Sequence, residues 1–215
     1  MAISYMDYTS PKVQYTYDLS NNTIFKKNPQ NYINGLGIKQ LNTDGNIFLL
    51  DIHLSKGNVV EPHSHPNATE VLYCISGAVT ASLINPFTNE LKNFPIKPGE
   101  VVSFPQGWQH YAMATEDRTH VLSSHDTPEL QTVWTSDLLR LLPDEVLAHT
   151  YCLDLEKIKD ALRPITERVV IGPPENCKRE NNSSDSRAYS SYHYQPPGMY
   201  YGYPYYMNQP YWQNQ

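Results

Sequence analysis

Between residues 35 and 136 the chain runs as short apolar stretches of period two, broken about every 8–12 residues by Gly, Pro, Asn and Asp, the pattern of an all-β domain. A strand over residues 47–54 follows the turn Asp44-Gly45, and residues 79–84 and 91–96 form a hairpin across Asn85-Pro86-Phe87-Thr88-Asn89. Residues 101–104, 111–114 and 119–124 supply further strands. Ahead of them, residues 1–34 mix Tyr, Asn and Pro, with alternations at Val13, Tyr15 and Tyr17 and at residues 23–25 that suit edge strands. This arm is expected to pack on the barrel exterior or on a neighbouring molecule.

Beyond the strands the period changes. Pro143 followed by Asp144 and Glu145 is a helix start, with acids at the positive end of the helix dipole. Asp154 caps a second helix over residues 155–162, whose Leu155, Ile158, Ala161 and Leu162 recur at helical spacing before Pro164 stops it. Short amphipathic helices need a surface on which to bury their stripe, and another subunit supplies one. The expected organisation is therefore an N-terminal arm (1–34), a barrel (35–136), a helical segment (137–172) and a tail (173–215).

The tail differs in composition. Residues 188–215 contain no Asp, Glu, Lys or Arg, and Tyr, Pro, Gly, Asn and Gln alternate without hydrophobic period. Such a segment buries too little to offset its ordering entropy and reads as disordered in isolation. Its dense aromatic and amide groups favour association with similar chains, so adhesion or assembly is a second use for it. Its tyrosines also resemble those of bacterial spore-coat proteins.

A formal charge of −6 with no compensating basic block argues against nucleic acid as a partner. Three widely spaced cysteines (Cys74, Cys152, Cys177) make no disulfide framework, and Cys74 is expected in the barrel as a small hydrophobe. The N-terminus lacks the basic-then-apolar order of a signal peptide and no stretch has the length of a membrane span, so synthesis in the cytoplasm is expected.

The chemistry gathers in two stretches: residues 57–77, GNVVEPHSHPNATEVLYCISG, and residues 99–110, GEVVSFPQGWQH. Residues two apart on a strand share a face, so His63 and His65 point the same way. Pro62, Pro66 and Asn67 are expected to break that strand and return the chain so that Glu70 stands beside the pair. Pro105 and Gly107 turn the second stretch so that His110 is the natural fourth donor. Three imidazoles and a carboxylate suit a divalent first-row metal, with positions left for water, oxygen or substrate. His53, His120 and His125 have no ligand spacing and read as structural histidines, while Trp108 and Tyr111, flanking His110, read as pocket walls, with the Tyr111 phenol a candidate proton donor.

The spacing Gly-x5-His-x-His-x4-Glu-x6-Gly followed by Gly-x5-Pro-x-Gly-x2-His matches both cupin motifs. With the segments NGLGIKQL, WTSD and PDEVLAHTYCLD, residues 30–165 resemble a germin or spherulin type single-domain cupin, of the kind that bacteria also carry. The resemblance implies a double-stranded β-helix (jelly-roll barrel) with short C-terminal α-helices that interlock subunits, from dimer to hexamer. It also implies Mn2+ at the site, with Fe2+, Ni2+ and Zn2+ as alternatives.

Where germins with oxalate oxidase activity place substrate-binding asparagines, this chain has Leu50, Val60 and Ala114, and it lacks the paired N-terminal cysteines of plant germins. Apolar groups do not orient a dicarboxylate. The expectation is thus a manganese-dependent oxidoreductase acting on a small anion, with superoxide favoured over oxalate and no general acid or base assigned. The alternative from another class is an oligomeric spore-coat or shell protein, with the tail joining neighbours and the metal stabilising the barrel. A dioxygenase or isomerase on the same ligands comes third.

Overall fold

Residues 7–175 and 177 are described by a computed structural model of the chain. In order they form strands β1 (Thr23–Asn28), β2 (Asn31–Leu36), β3 (Phe48–Leu54), β4 (Val59–Ser64), β5 (Glu70–Ser76), β6 (Val79–Asn85), β7 (Glu90–Ile96), β8 (Val101–Phe104), β9 (His110–Ala114), β10 (Thr119–His125) and β11 (Val133–Trp134). Helices α1 (Thr135–Leu141), α2 (Asp144–Tyr151) and α3 (Leu155–Leu162) and the short strand β12 (Ile171–Gly172) follow. One antiparallel sheet has the order β1-β2-β3-β10-β5-β8 and the other β11-β4-β9-β6-β7, with β12 also paired to β4. This is the expected jelly-roll barrel. The disorder expected of the tail falls outside the described residues, and none of the described helices is long and apolar enough to cross a membrane.

Alternation fixes which face of each strand enters the core. On β5, Glu70, Leu72 and Cys74 are buried while Val71, Tyr73 and Ile75 alternate outward. On β10, Thr119, Val121, Ser123 and His125 are buried in turn. One cluster draws on both sheets: Ile52, Leu54, Leu72, Phe104 and Val121 from the first meet Val60, Val79, Ala81 and Ala112 from the second. Cys74 sits inside it as a free, fully buried thiol, and burial raises its pKa, as expected of an inert packing residue.

Three sequence expectations change. The alternation at Val13, Tyr15 and Tyr17 forms no strand, because its backbone is engaged by side chains instead of a ladder: Gln14 N–H donates to Asn42 (2.9 Å) and Thr43 donates to the Gln14 carbonyl (2.6 Å). Strand β2 runs through residue 34, so the first sheet already begins at Thr23, and Ile33 lies in the core. Pro62 does not end β4. It is accommodated where the β4–β9 register slips between Val60 and His63, the sort of irregularity at which a missing N–H is tolerated.

Gly77, after β5, has φ +71°, and a Cβ there would stand 2.6 Å from the Thr119 Cα and 2.5 Å from its hydroxyl oxygen. Relief requires moving β10 itself. Gly77→Ala is therefore expected to destabilise the fold by about 2–4 kcal/mol, strain plus overpacking. Gly57→Ala, at φ +81° in open space, carries strain alone, about 1–2 kcal/mol. Urea unfolding of the two variants checks this, and equal losses would refute the steric account.

Candidate metal centre

β4 and β9 are neighbours, and their register sets His63 directly opposite His110. His65 follows the end of β4, and Glu70 opens β5, paired to Phe104 on one side and His125 on the other. All four residues expected as ligands are buried, and one donor atom from each lies within 4.8 Å of the others. The motif spacing works because β4 and β5 lie in different sheets, so the short connection after His65 carries the chain across the barrel mouth and returns Glu70 to the same interior point.

Each imidazole is held by its outer nitrogen. Nδ1 of His63 lies 2.6 Å from the Glu61 carbonyl, that of His65 lies 3.0 Å from the Gln131 carbonyl, and that of His110 lies 2.9 Å from the Trp108 carbonyl. A carbonyl only accepts, so each Nδ1 carries the proton and each Nε2 turns a lone pair inward. Stacking fixes the ring planes further, with Phe104 on His110 (centroids 4.2 Å, 13°) and Trp134 beside His63 (4.9 Å).

This assignment gives the cluster its chemical demand. Glu70 Oε2 stands 2.9 Å from His110 Nε2 and 3.2 Å from His65 Nε2, while Ser123 donates to Oε1 at 2.7 Å. A neutral imidazole has one N–H, yet His65 and His110 each face acceptors at both nitrogens. A cation shared by Oε2 and the inward nitrogens resolves the conflict, and a divalent metal does so for all donors at once. The residues present therefore fit the ion that the motif implies.

The charges agree with that reading. Burial, and secondarily the neighbouring His110, pushes His63 down to about 3, so its ring is neutral and free to ligate. Burial alone would raise the Glu70 carboxyl, but the imidazoles of His110, His125 and His65, which become donors when a proton is shared with them, outweigh it and hold the group well below the usual carboxylate range.

The folded-state value of His63 lies below the unfolded one, so the stability of the neutral ring is fully present above about pH 6.5 and is lost as the pH falls toward 3. Metal-free protein is thus expected to lose up to about 1.4 kcal/mol per pH unit from His63 over that window. Urea titrations from neutral to acid pH measure this, and a flat or rising profile would contradict it.

His125 and Ser123 are missing from the sequence-derived site. His125 is fully buried opposite Glu70, its Nε2 3.5 Å from Glu70 Oε2 and its Nδ1 3.2 Å from the Phe48 carbonyl. Extending the last strand by one residue, from 124 to 125, would have put His125 on the inward face with Ser123. Tyr111 alternates away from His110 on β9 and does not line the cavity, nor does Trp108. The aromatic side chains of the wall are Trp134, Phe25, Phe48 and Phe104 instead. His53 and His120, expected as structural histidines without ligand spacing, meet each other and Asp51 on the outside of the first sheet.

The cluster lies at a cavity of about 410 Å3. Leu50, Ile52, Val60, Leu72 and Val121 line it with Trp134, so two of the three positions lacking asparagine face the site as apolar wall. Ala114, the third, is buried but outside the lining. Thr132 and Arg168 are the further polar side chains on the wall, and the Arg168 guanidinium is bound to Asp137 (2.8 and 2.5 Å).

Residues 22–159 match the family model described as Cupin. Germin-like protein 1 of Brassica napus is 31% identical over 143 residues, covering 65% of this chain and 60% of its own length. The chain thus spans somewhat less than two thirds of the curated relatives it matches. Among solved structures, the Bacillus subtilis oxalate decarboxylase studied for its Mn(II) centres superposes with TM-score 0.64 at 21% identity, over 74% of this chain and 42% of that one. An oxalate oxidase in complex with the substrate analogue glycolate gives 0.65 at 15% identity, over 75% and 86%.

Proposed function

Because this chain belongs to the Cupin family, and within it is of the germin type, we propose that it is a manganese-binding oxidoreductase acting on a small anion, with superoxide favoured over oxalate. The observation that carries this reading is the convergence of four donor atoms within 4.8 Å, in which two imidazoles face acceptors at both nitrogens. The Mn(II) centres of the oxalate decarboxylase that shares the fold support the choice of metal over iron, nickel or zinc.

His63, His65, Glu70 and His110 would hold the ion, which when bound supplies a one-electron couple at a position open to a small ligand. The protein does the rest by geometry. Backbone carbonyls keep the three rings in one tautomer, and Ser123 holds the far oxygen of Glu70, so the donors need no reorganisation during turnover. The apolar wall of Leu50, Ile52, Val60, Leu72 and Val121 keeps bulk water away and offers no hydrogen bonds to the far end of a dicarboxylate. Superoxide needs none: two superoxide ions and two protons become dioxygen and hydrogen peroxide. Arg168 at the wall favours entry of an anion.

The alternative, an oligomeric building block in which the metal only stabilises the barrel, draws on one observation. Leu138, Leu141, Leu142, Val146, Tyr151 and Leu153, on α1, α2 and the turns after them, are exposed by 43–66%, an apolar set suited to a second copy. Metal analysis of purified full-length protein, followed by superoxide and oxalate assays, separates the readings. Manganese with superoxide consumption that disappears on chelation is expected, with oxalate turnover at background. Full manganese occupancy without either activity would favour the building block.

A further inference from the structure

We propose that Asp51, His53 and His120 form a second divalent-metal site, on the outer face of the first sheet and separate from the interior centre. Asp51 and His53 are two apart on β3 and therefore share a face, and the β3–β10 register sets His120 directly opposite His53. Their neighbours Ile52, Leu54 and Val121 point into the core, so the triad projects from the other side of the sheet. One donor atom from each of the three lies within 4.8 Å of the others.

The three side chains are positioned in advance. Tyr32 stacks on His53 (centroids 4.4 Å, 17°) and His53 on His120 (4.1 Å, 15°), a column of three rings across three adjacent strands. The Asn34 amide donates to Asp51 Oδ2 at 3.1 Å. Both Nε2 atoms aim at the one carboxylate, His53 at 3.2 Å and His120 at 2.5 Å. Two imidazoles side by side with both nitrogens turned to one acid form a ready N2O donor set, in which a single ion replaces the two ring protons. Side-chain exposures of 28%, 18% and 27% for His53, Asp51 and His120 leave water room to complete the shell.

Two imidazoles and one carboxylate suit zinc, copper or nickel. The outer site differs from the interior one in place and in donor number, with two imidazoles and one acid against three and one. Neither pocket wall nor motif residue is shared between them.

Zinc titration of the full chain by calorimetry, with cobalt absorbance as a second readout, tests the assignment. The unaltered protein is expected to take up two zinc ions, Glu70→Gln to keep the outer one, and the double variant His53→Gln/His120→Gln to keep the interior one. Outer-site affinity should fall more than about 100-fold in the double variant, beyond the loss typical of residues that merely orient ligands. Asp51→Asn, which retains an acceptor for Asn34, should weaken the same ion while leaving the interior one untouched. Glutamine keeps hydrogen-bonding capacity on the half-exposed surface, and circular dichroism verifies the fold of each variant. Zinc uptake by Glu70→Gln that persists when His53 and His120 are also replaced, or no uptake by folded Glu70→Gln at all, would overturn the proposal.

Discussion

Glu70→Gln is expected to weaken manganese binding by more than about 100-fold, past the range seen when only an orienting partner is lost, while leaving the metal-free fold as stable as before or more so. The two halves of this result follow from the same geometry. Oε2 of Glu70 stands within 3.2 Å of the inward nitrogens of His65 and His110, whose protons are committed outward to carbonyls. Without an ion, carboxylate and lone pairs repel, so the acid serves the metal at some cost to the empty barrel. Glutamine retains an oxygen for the Ser123 hydroxyl and presents an N–H to the imidazoles, which satisfies the cluster and removes the anionic donor. Manganese titration combined with urea unfolding of chelated protein measures both quantities. A variant that loses stability in the metal-free state and metal affinity in proportion would show Glu70 to be a packing residue instead.

Glu61→Ala is expected to destabilise the protein by at least about 3 kcal/mol, since two amides and a hydroxyl lose a charged acceptor at about 1–3 kcal/mol each. Glu61 is buried on β4, and its carboxylate accepts from Ser136 N–H (2.9 Å), the Ser136 hydroxyl (2.7 Å) and Val170 N–H (3.0 Å). One side chain thereby fastens the first turn of α1 and the approach to β12 onto the barrel, and the acid lies favourably at a helix N-terminus. Trp134 and Val170, beside these anchors, wall the cavity, so metal affinity should fall by a smaller factor alongside stability. Glu61→Gln, which keeps an acceptor, should recover a large part of the loss. Urea denaturation of the three proteins decides it, and a loss below about 1 kcal/mol for alanine would contradict the anchoring role.

The comparison of sequence with structure separates local from non-local information. His63, His65 and Glu70 were legible because ligands at two consecutive strands, β4 and β5, leave a fixed spacing, and His110 because it closes a second local pattern of Gly and Pro turns; α3 was legible because Asp154, its helical stripe and Pro164 are all local signals, and the Asp154 carboxylate indeed receives Lys157 N–H at 3.1 Å. The Asp51–His53–His120 triad was not, since His120 reaches its partners only through the register of β10 against β3, which no spacing along the chain encodes. Glu61 carries no local signal for the same reason, since its partners at residues 136 and 170 return to it from far along the chain. Tyr111 misled in the opposite direction. Adjacency to His110 suggested chemistry, but on a strand the next residue faces away.

The account rests most heavily on the four interior donors acting together on one ion, and manganese titration followed by electron paramagnetic resonance addresses that most directly. Full-length protein, stripped of metal and titrated at neutral pH, should suppress the signal of hydrated manganese up to one ion per chain, and Glu70→Gln should leave that signal undiminished. An unaltered hydrated-manganese signal in the presence of folded, unmodified protein would contradict the account.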